Sequence, residues 1–430
     1  MLARHLAPAL HAALTDSPVV LLNGARQTGK TTLVESLISD SFPAQYLTLD
    51  DATVLSAVQS DPDGFIAGLK GPVVLDEIQR APGIFVAIKA AIDRQRRPGR
   101  FLLTGSANVL LLPKLSESLA GRMEILTLLP LSQGEIHGVR ENFIDAAFSA
   151  AGILPAKSHS GSGRPEAHGA MHTSAQLFSA ILRGGYPEIQ RRPVFERRRA
   201  WFGSYITTIL QRDVRDLANI ESMSALPRLL SLMAARAGGL QNFAELASGS
   251  GLPQSTLKRY VTLLEATFLV QFVRPWSGNL GTRLVKAPKL YFTDTGLLAH
   301  LLGPDEERLK ADGILRGPLL ENFVAMELRK QSAWSRVRPE IYHFREHAGA
   351  EIDVVLEDAR GRLVGIEVKA AGAVKSEDFR WLRAFATDTG KKFVRGIVLY
   401  TGEKTVAFGE NLTAAPVWSL WSGHGEPDSG

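Results

Sequence analysis

The stretch from Val19 to Leu33 constrains this chain more than any other. Val19 to Leu22 are four consecutive apolar residues and read as a short strand buried on both faces. Gly24, Gly29, Lys30 and Thr31 then fall on the G-x-x-x-x-G-K-[ST] spacing of a phosphate-binding loop. The spacing has a physical reason. The two glycines let the backbone turn tightly and bring bare N–H groups against a polyphosphate. Leu33, Val34, Leu37 and Ile38 recur at helical spacing, so the loop opens a helix whose N-terminus favours anions. Lys30 can reach the outer phosphates, and Thr31 offers a hydroxyl to Mg²⁺. The predicted site is therefore Gly24, Ala25, Arg26, Gln27, Thr28, Gly29, Lys30, Thr31 and Thr32, with ATP and Mg²⁺ as cofactors.

Hydrolysis needs acids facing the same crevice. Pro72 to Asp76 is an apolar strand that ends in Asp76-Glu77. In a parallel sheet that end lies beside the phosphate loop. Asp76 is placed to hold the Mg²⁺ shell, and Glu77 to orient or deprotonate an attacking water. Tyr46 to Asp50 reads as a further strand, and so does Arg100 to Thr104. Thr104, Ser106 and Asn108 compete to contact the outer phosphate or the water, with a plain strand-ending turn as the alternative. Arg122 precedes the last strand. It could stabilise transition-state charge, in cis or from a neighbouring subunit, or serve as a surface ion-pair partner. Strands alternating with helical stretches predict an α/β fold over residues 1–140, with a parallel P-loop NTPase sheet covered on both faces.

Leu21 to Leu33, Leu75 to Gln79 and Leu103 to Ser106 together resemble the AAA-type ATPase domain of a large prokaryotic family. Members of that family join this domain to a C-terminal domain of unknown function. The resemblance continues in Gly184 to Pro187, in Tyr205 to Asp213 and in Lys286 to Leu298.

The whole chain bounds these readings. At 430 residues it should hold two to four domains. Cysteine is absent, which excludes disulfides and cysteine-based zinc sites. Met1 to Leu14 carries leucines at helical spacing and does not read as a secretory signal. No apolar run reaches the length of a membrane span, so no membrane partner is expected and a cytoplasmic home fits. The net charge is only +5, but Ala180 to Leu290 holds 16 Lys and Arg against 7 Asp and Glu. A basic middle between acidic flanks hints at nucleic acid; a solvated surface is the plainer reading.

Residues 141–176 read as a linker, with Ala156 to His172 a flexible insertion rich in Gly, Ser, Pro and His. Residues 177–300 read as helical. Arg191, Arg192, Arg197, Arg198 and Arg199 cluster at a helix start and suit a solvated or interdomain face, with a nucleic-acid site as the alternative. From Phe243 to Val273 the order is helix, turn, helix, strand, as in a winged helix. Lys258 and Arg259 face outward there and could meet phosphates. Such units also serve as ATPase lids and protein-binding surfaces.

Residues 301–430 read as a small α/β module. Strands are expected at Glu340 to Arg345, Glu351 to Leu356, Gly365 to Lys369, Phe393 to Tyr400 and Pro416 to Trp421, with a fraying tail after Ser422. Glu367 and Lys369 sit at i and i+2, on one face of their strand, and Asp353 lies on the strand before. Two carboxylates can bind a metal while a lysine positions a water. The pattern is similar to the D…E-x-K core of the restriction-endonuclease-like fold. That similarity implies a second metal site at Asp353 and Glu367 with Lys369, and Glu321 as the acid on the preceding helix. An ordinary charged hairpin is the alternative.

Three functions are open to such a chain. One is a Mg²⁺-dependent ATPase, with Lys30, Glu77 and Arg122 catalytic, that drives a C-terminal module. Another is a nucleotide-gated, metal-dependent nuclease. The third is a non-catalytic switch that binds DNA or a protein partner, a second copy of itself included.

Overall fold

The apolar runs near the start of the chain become five parallel strands: β1 (Val19–Asn23), β2 (Gln45–Thr48), β3 (Val73–Asp76), β4 (Phe101–Gly105) and β5 (Met123–Thr127), in the order β2-β3-β4-β1-β5. This computed structural model describes residues 2–39, 42–108, 119, 121–153, 173–217, 223–279, 281, 283, 286–346 and 349–422. The three inner strands β1, β3 and β4 are buried on both faces, which is why they read as apolar runs, while the edge strands β2 and β5 are part-exposed and mixed. Val19, Leu21, Val73, Leu75, Phe101 and Leu103 point to helices Ala52–Ser60, Pro62–Gly68 and Ile84–Arg94. Val20, Leu22, Val74 and Leu102 point the other way, to Ala7–Asp16 and Lys30–Leu37. The chain leaves β1 towards β2 on one side and later returns to place β5 on the other. Such a reversal opens a crevice at the carboxyl ends of the strands, where ligands of open α/β sheets bind.

Helices fill the middle of the chain. Phe195–Thr208 runs into a π-helical turn at Ile209–Val214. Ala225–Ala234, Phe243–Ser250 and Gln254–Ala266 follow. Asn242 caps the second of these by accepting from the amides of Ala244 and Glu245. Leu257, Tyr260, Val261 and Leu264 form the buried face of the third, and Lys258 and Arg259 lie on its exposed face.

The second sheet has eight strands in the order β12-β13-β11-β10-β9-β8-β6-β7. They are β6 (Val270–Pro275), β7 (Lys289–Phe292), β8 (Glu340–Arg345), β9 (Glu351–Glu357), β10 (Leu363–Lys369), β11 (Phe393–Tyr400), β12 (Val406–Gly409) and β13 (Leu412–Pro416). Two features depart from the sequence reading. The sheet crosses residue 300, because β6 pairs with β8 in parallel and β7 pairs with β6. The expected strand at Pro416 to Trp421 is instead the end of β13 followed by a 3-10 turn at Val417–Leu420, whose apolar residues are buried on a helix rather than in a ladder. Helix Gly313–Ser332 packs beneath this sheet, and one core joins it to the middle helices. Ala156 to His172 and the tail beyond Ser422 lie outside the described residues. Among the described residues no helix is long and apolar enough to cross a membrane.

Candidate functional site

The phosphate loop closes on itself. Gly24 has φ +148°, and a Cβ there would lie 2.2 Å from the Leu128 carbonyl oxygen, so only glycine fits. Gly29, at φ +91°, starts the helix Lys30–Leu37. Lys30 Nζ donates to the carbonyls of Gly24 and Ala25, each at 2.9 Å, and is buried. Burial lowers its pKa to about 8, against the pull of Glu77 and Asp76. Arg4 braces the loop from outside by donating to the Thr28 carbonyl at 2.5 Å.

The acids expected across the crevice are there. Thr31 Oγ1 donates to Asp76 Oδ2 at 3.1 Å, and Tyr46 donates to the same oxygen at 2.5 Å. Thr104 donates to Asp76 Oδ1. Glu77 sits at φ +58°, an uncommon backbone for a glutamate. Gln79 donates to its Oε2, and Ser106 donates to the same oxygen at 3.2 Å. Thr104 and Ser106 thus take different acids. Asn108 instead donates its backbone N–H to the Ala266 carbonyl at 2.7 Å. A hydroxyl and a carboxylate 3.1 Å apart are oxygen donors of the kind Mg²⁺ takes, so Thr31 and Asp76 fit that ion.

Arg122 does not join this group in cis. In the β1–β5 register Val19 faces Met123, which puts Arg122 at the opposite edge of the sheet. Five strand residues, about 16 Å, separate the two edges. Arg122 pairs there with Asp93 at 2.7 Å.

Sequence reasoning missed the wall that faces the loop. Arg26 Nε donates to both oxygens of Asp213, at 2.8 and 2.7 Å, in the π-helical turn. Tyr205 donates to the Arg26 carbonyl at 3.3 Å, and Trp201 stacks on Tyr205 with ring centroids 4.9 Å apart. The cavity of about 410 Å³ between loop and wall is lined by Lys30, Thr31, Glu77, Trp201 and Tyr205 among others. A second cavity, of about 640 Å³, shares Gly29 and Thr32 with it and is lined by Leu2, Ala7, Leu33 and Arg191. The available signal was the resemblance of Tyr205 to Asp213 to the family; the π turn seen there is of a kind that recurs at functional sites.

The C-terminal carboxylates also converge. Val368 N–H donates to Asp353 Oδ2 at 2.9 Å, and Lys369 Nζ lies 3.4 Å from Glu367 Oε2. Lys289, on β7, is fully buried among them. Its Nζ lies 2.8 Å from Glu321, 2.8 Å from Glu351 and 3.2 Å from Asp353. Burial works against the ammonium, but these three carboxylates outweigh it and raise its pKa. Burial, and then Asp353, push the carboxyls of Glu321 and Glu367 up.

Three family models match the chain. Residues 16–137 match the model of an AAA domain, 174–308 a domain of unknown function (DUF8612) and 316–420 a domain of unknown function (DUF4143). The uncharacterized proteins Rv2008c of Mycobacterium tuberculosis and Mb2031c of Mycobacterium bovis are each 33% identical over 414 residues, covering 96% of this chain and 83% of theirs. Among solved structures, the Walker-type ATPase PABY2304 of Pyrococcus abyssi is similar over 70% of this chain and 96% of its own, at 14% identity and a TM-score of 0.42. AMPPCP-bound DnaA from Aquifex aeolicus is similar over 60% and 85%, at 13% identity and a TM-score of 0.28. The chain belongs to the family of these mycobacterial relatives, in which an AAA-type P-loop ATPase domain is followed by a C-terminal domain of unknown function.

Proposed function

We propose that this chain binds ATP with Mg²⁺ at the phosphate loop, hydrolyses it, and uses the change to alter what its C-terminal module binds. The observation that carries the reading is the convergence of Lys30, Thr31, Asp76, Glu77 and Ser106 on one edge of the sheet. In this reading Lys30 exchanges the Gly24 and Ala25 carbonyls for phosphate oxygens. Thr31 and Asp76 hold Mg²⁺, which when bound neutralises charge on the outer phosphates. Glu77 accepts the proton of the attacking water, while Gln79 and Ser106 orient its carboxylate. Trp201 and Tyr205 restrict water, and the apolar cavity beside Leu2, Ala7 and Leu33 suits a base.

The order from Phe243 to Phe292 supports a winged-helix surface, with Lys258 and Arg259 exposed on its second helix. We read it as the face that meets DNA. Gel-shift measurements with and without ATP, at two salt concentrations, should show binding that weakens steeply with salt. A salt-independent shift, or none, contradicts that assignment.

The nucleotide site is tested by titrating a fluorescent ATP analogue. Lys30→Ala should lose affinity by at least about tenfold, the value of one hydrogen bond to a charged group. Unchanged affinity contradicts the site.

A further inference from the structure

The D…E-x-K spacing leads to the expectation of a divalent metal at Asp353 and Glu367, but the donor set does not fit one. An ammonium carries three N–H donors. Lys289 has three carboxylate partners, Glu321, Glu351 and Asp353, at 2.8 to 3.2 Å. These are hydrogen-bond distances, so each of the three N–H donors has a carboxylate acceptor. Other oxygens of the group have hydrogen-bond partners too. Asp353 Oδ2 accepts from the Val368 amide, and Glu321 Oε1 accepts a second bond from Tyr291 at 2.6 Å. Glu351 also meets Arg345, at 3.4 Å. Among the described residues Glu367 Oε1 is a buried side-chain oxygen with no hydrogen-bond partner, and one such oxygen does not make a divalent site.

Lys289 is not free to leave. It sits on β7 in register with Val273 of β6 and is wholly inaccessible to solvent. Expelling its charge would strand either a buried ammonium or the carboxylates it serves.

We infer that Lys289 is the resident cation of this centre, that it closes the centre to divalent metal, and that the C-terminal module acts by binding rather than by metal-dependent cleavage. The contact joins β7, drawn from the middle of the chain, to the helix and strands that carry the nuclease-like residues. A lysine supplied from that distance completes the centre electrostatically without an ion.

Mn²⁺ binding to the full chain, followed by the electron paramagnetic resonance signal of the free ion, tests this. A saturating non-hydrolysable ATP analogue accounts for the ion at the phosphate loop. Wild type should bind one Mn²⁺ per chain, and Asp353→Asn should leave that number unchanged. Lys289→Met should gain a second Mn²⁺, and Lys289→Met with Asp353→Asn should lose it again. A second ion in wild type that Asp353→Asn removes would overturn the inference. So would a folded Lys289→Met that binds only one. If Lys289→Met does not fold, the comparison of wild type with Asp353→Asn decides alone. Failure of the nucleotide reading looks different: the ion that Lys30→Ala should abolish is then missing from wild type.

Discussion

Glu327 accepts a 2.9 Å hydrogen bond from the backbone N–H of Gln133, across 194 residues of chain. The bond joins the AAA domain to the C-terminal module. Glu327 lies on helix Gly313–Ser332, which also carries Glu321 of the C-terminal centre. Lys330 completes the contact by donating to Glu327 at 2.6 Å and to the Leu131 carbonyl at 3.0 Å. Two residues beyond Gln133, Glu135 accepts from Arg4, and Arg4 in turn holds the Thr28 carbonyl of the phosphate loop. Hydrogen bonds and ion pairs among buried or half-buried groups, linked by short stretches of chain, make a physical route between the nucleotide site and the C-terminal module.

Glu327→Ala should be costly. It leaves the Lys330 ammonium and the Gln133 amide buried without their partner, a loss of roughly 3–5 kcal/mol. Glu327→Gln keeps an acceptor for Gln133 and should cost clearly less. Chemical denaturation of the two variants checks this, and equal stabilities would contradict the role of the charge.

Arg26 and Asp213 should be coupled. Asp213 is mostly buried and Arg26 about a quarter exposed, so the pair is partly screened. A double-mutant cycle with Arg26→Ala and Asp213→Ala should return an interaction of about 1–2 kcal/mol. Asp213→Ala should also speed nucleotide release, because the Trp201 wall loses its anchor. Additive stabilities and an unchanged release rate would contradict the clamp.

His343 gives the chain a pH dependence of known sign. It is buried on β8, and burial, with Lys289 and Arg345 nearby and Glu351 opposing them, lowers its pKa from 6.5 to about 4. The unfolded chain therefore binds the extra proton first. The stability is complete above pH 6.5 and is lost as pH falls towards 4. At pH 5 the loss is about 2 kcal/mol. His343→Gln cannot titrate, so the stability difference between wild type and variant should shift by that amount between pH 7.5 and pH 5. Parallel pH profiles would contradict it.

How far the sequence reached follows from where each contact lies. The phosphate loop was legible because its chemistry is local: two glycines, a lysine and a threonine within eight residues. Asp76 was legible because parallel strands point their carboxyl ends to one crevice. Arg122 precedes its strand, and in a parallel sheet that position lies at the amino edge, away from the crevice of its own chain. Lys289 was hidden because its partners lie 32 and 64 residues away, on elements assigned to another module. A faint signal existed, since a lysine opening a wholly buried strand demands buried carboxylates. Asp213 was hidden likewise, 187 residues from Arg26.

The central claim, that Glu77 is the base of an ATPase built on this loop, is tested most directly by steady-state ATP turnover of Glu77→Gln beside its nucleotide affinity. Turnover should fall by about 100-fold or more, the usual contribution of a general base, while ATP binding is retained. Wild-type turnover in Glu77→Gln would contradict the account.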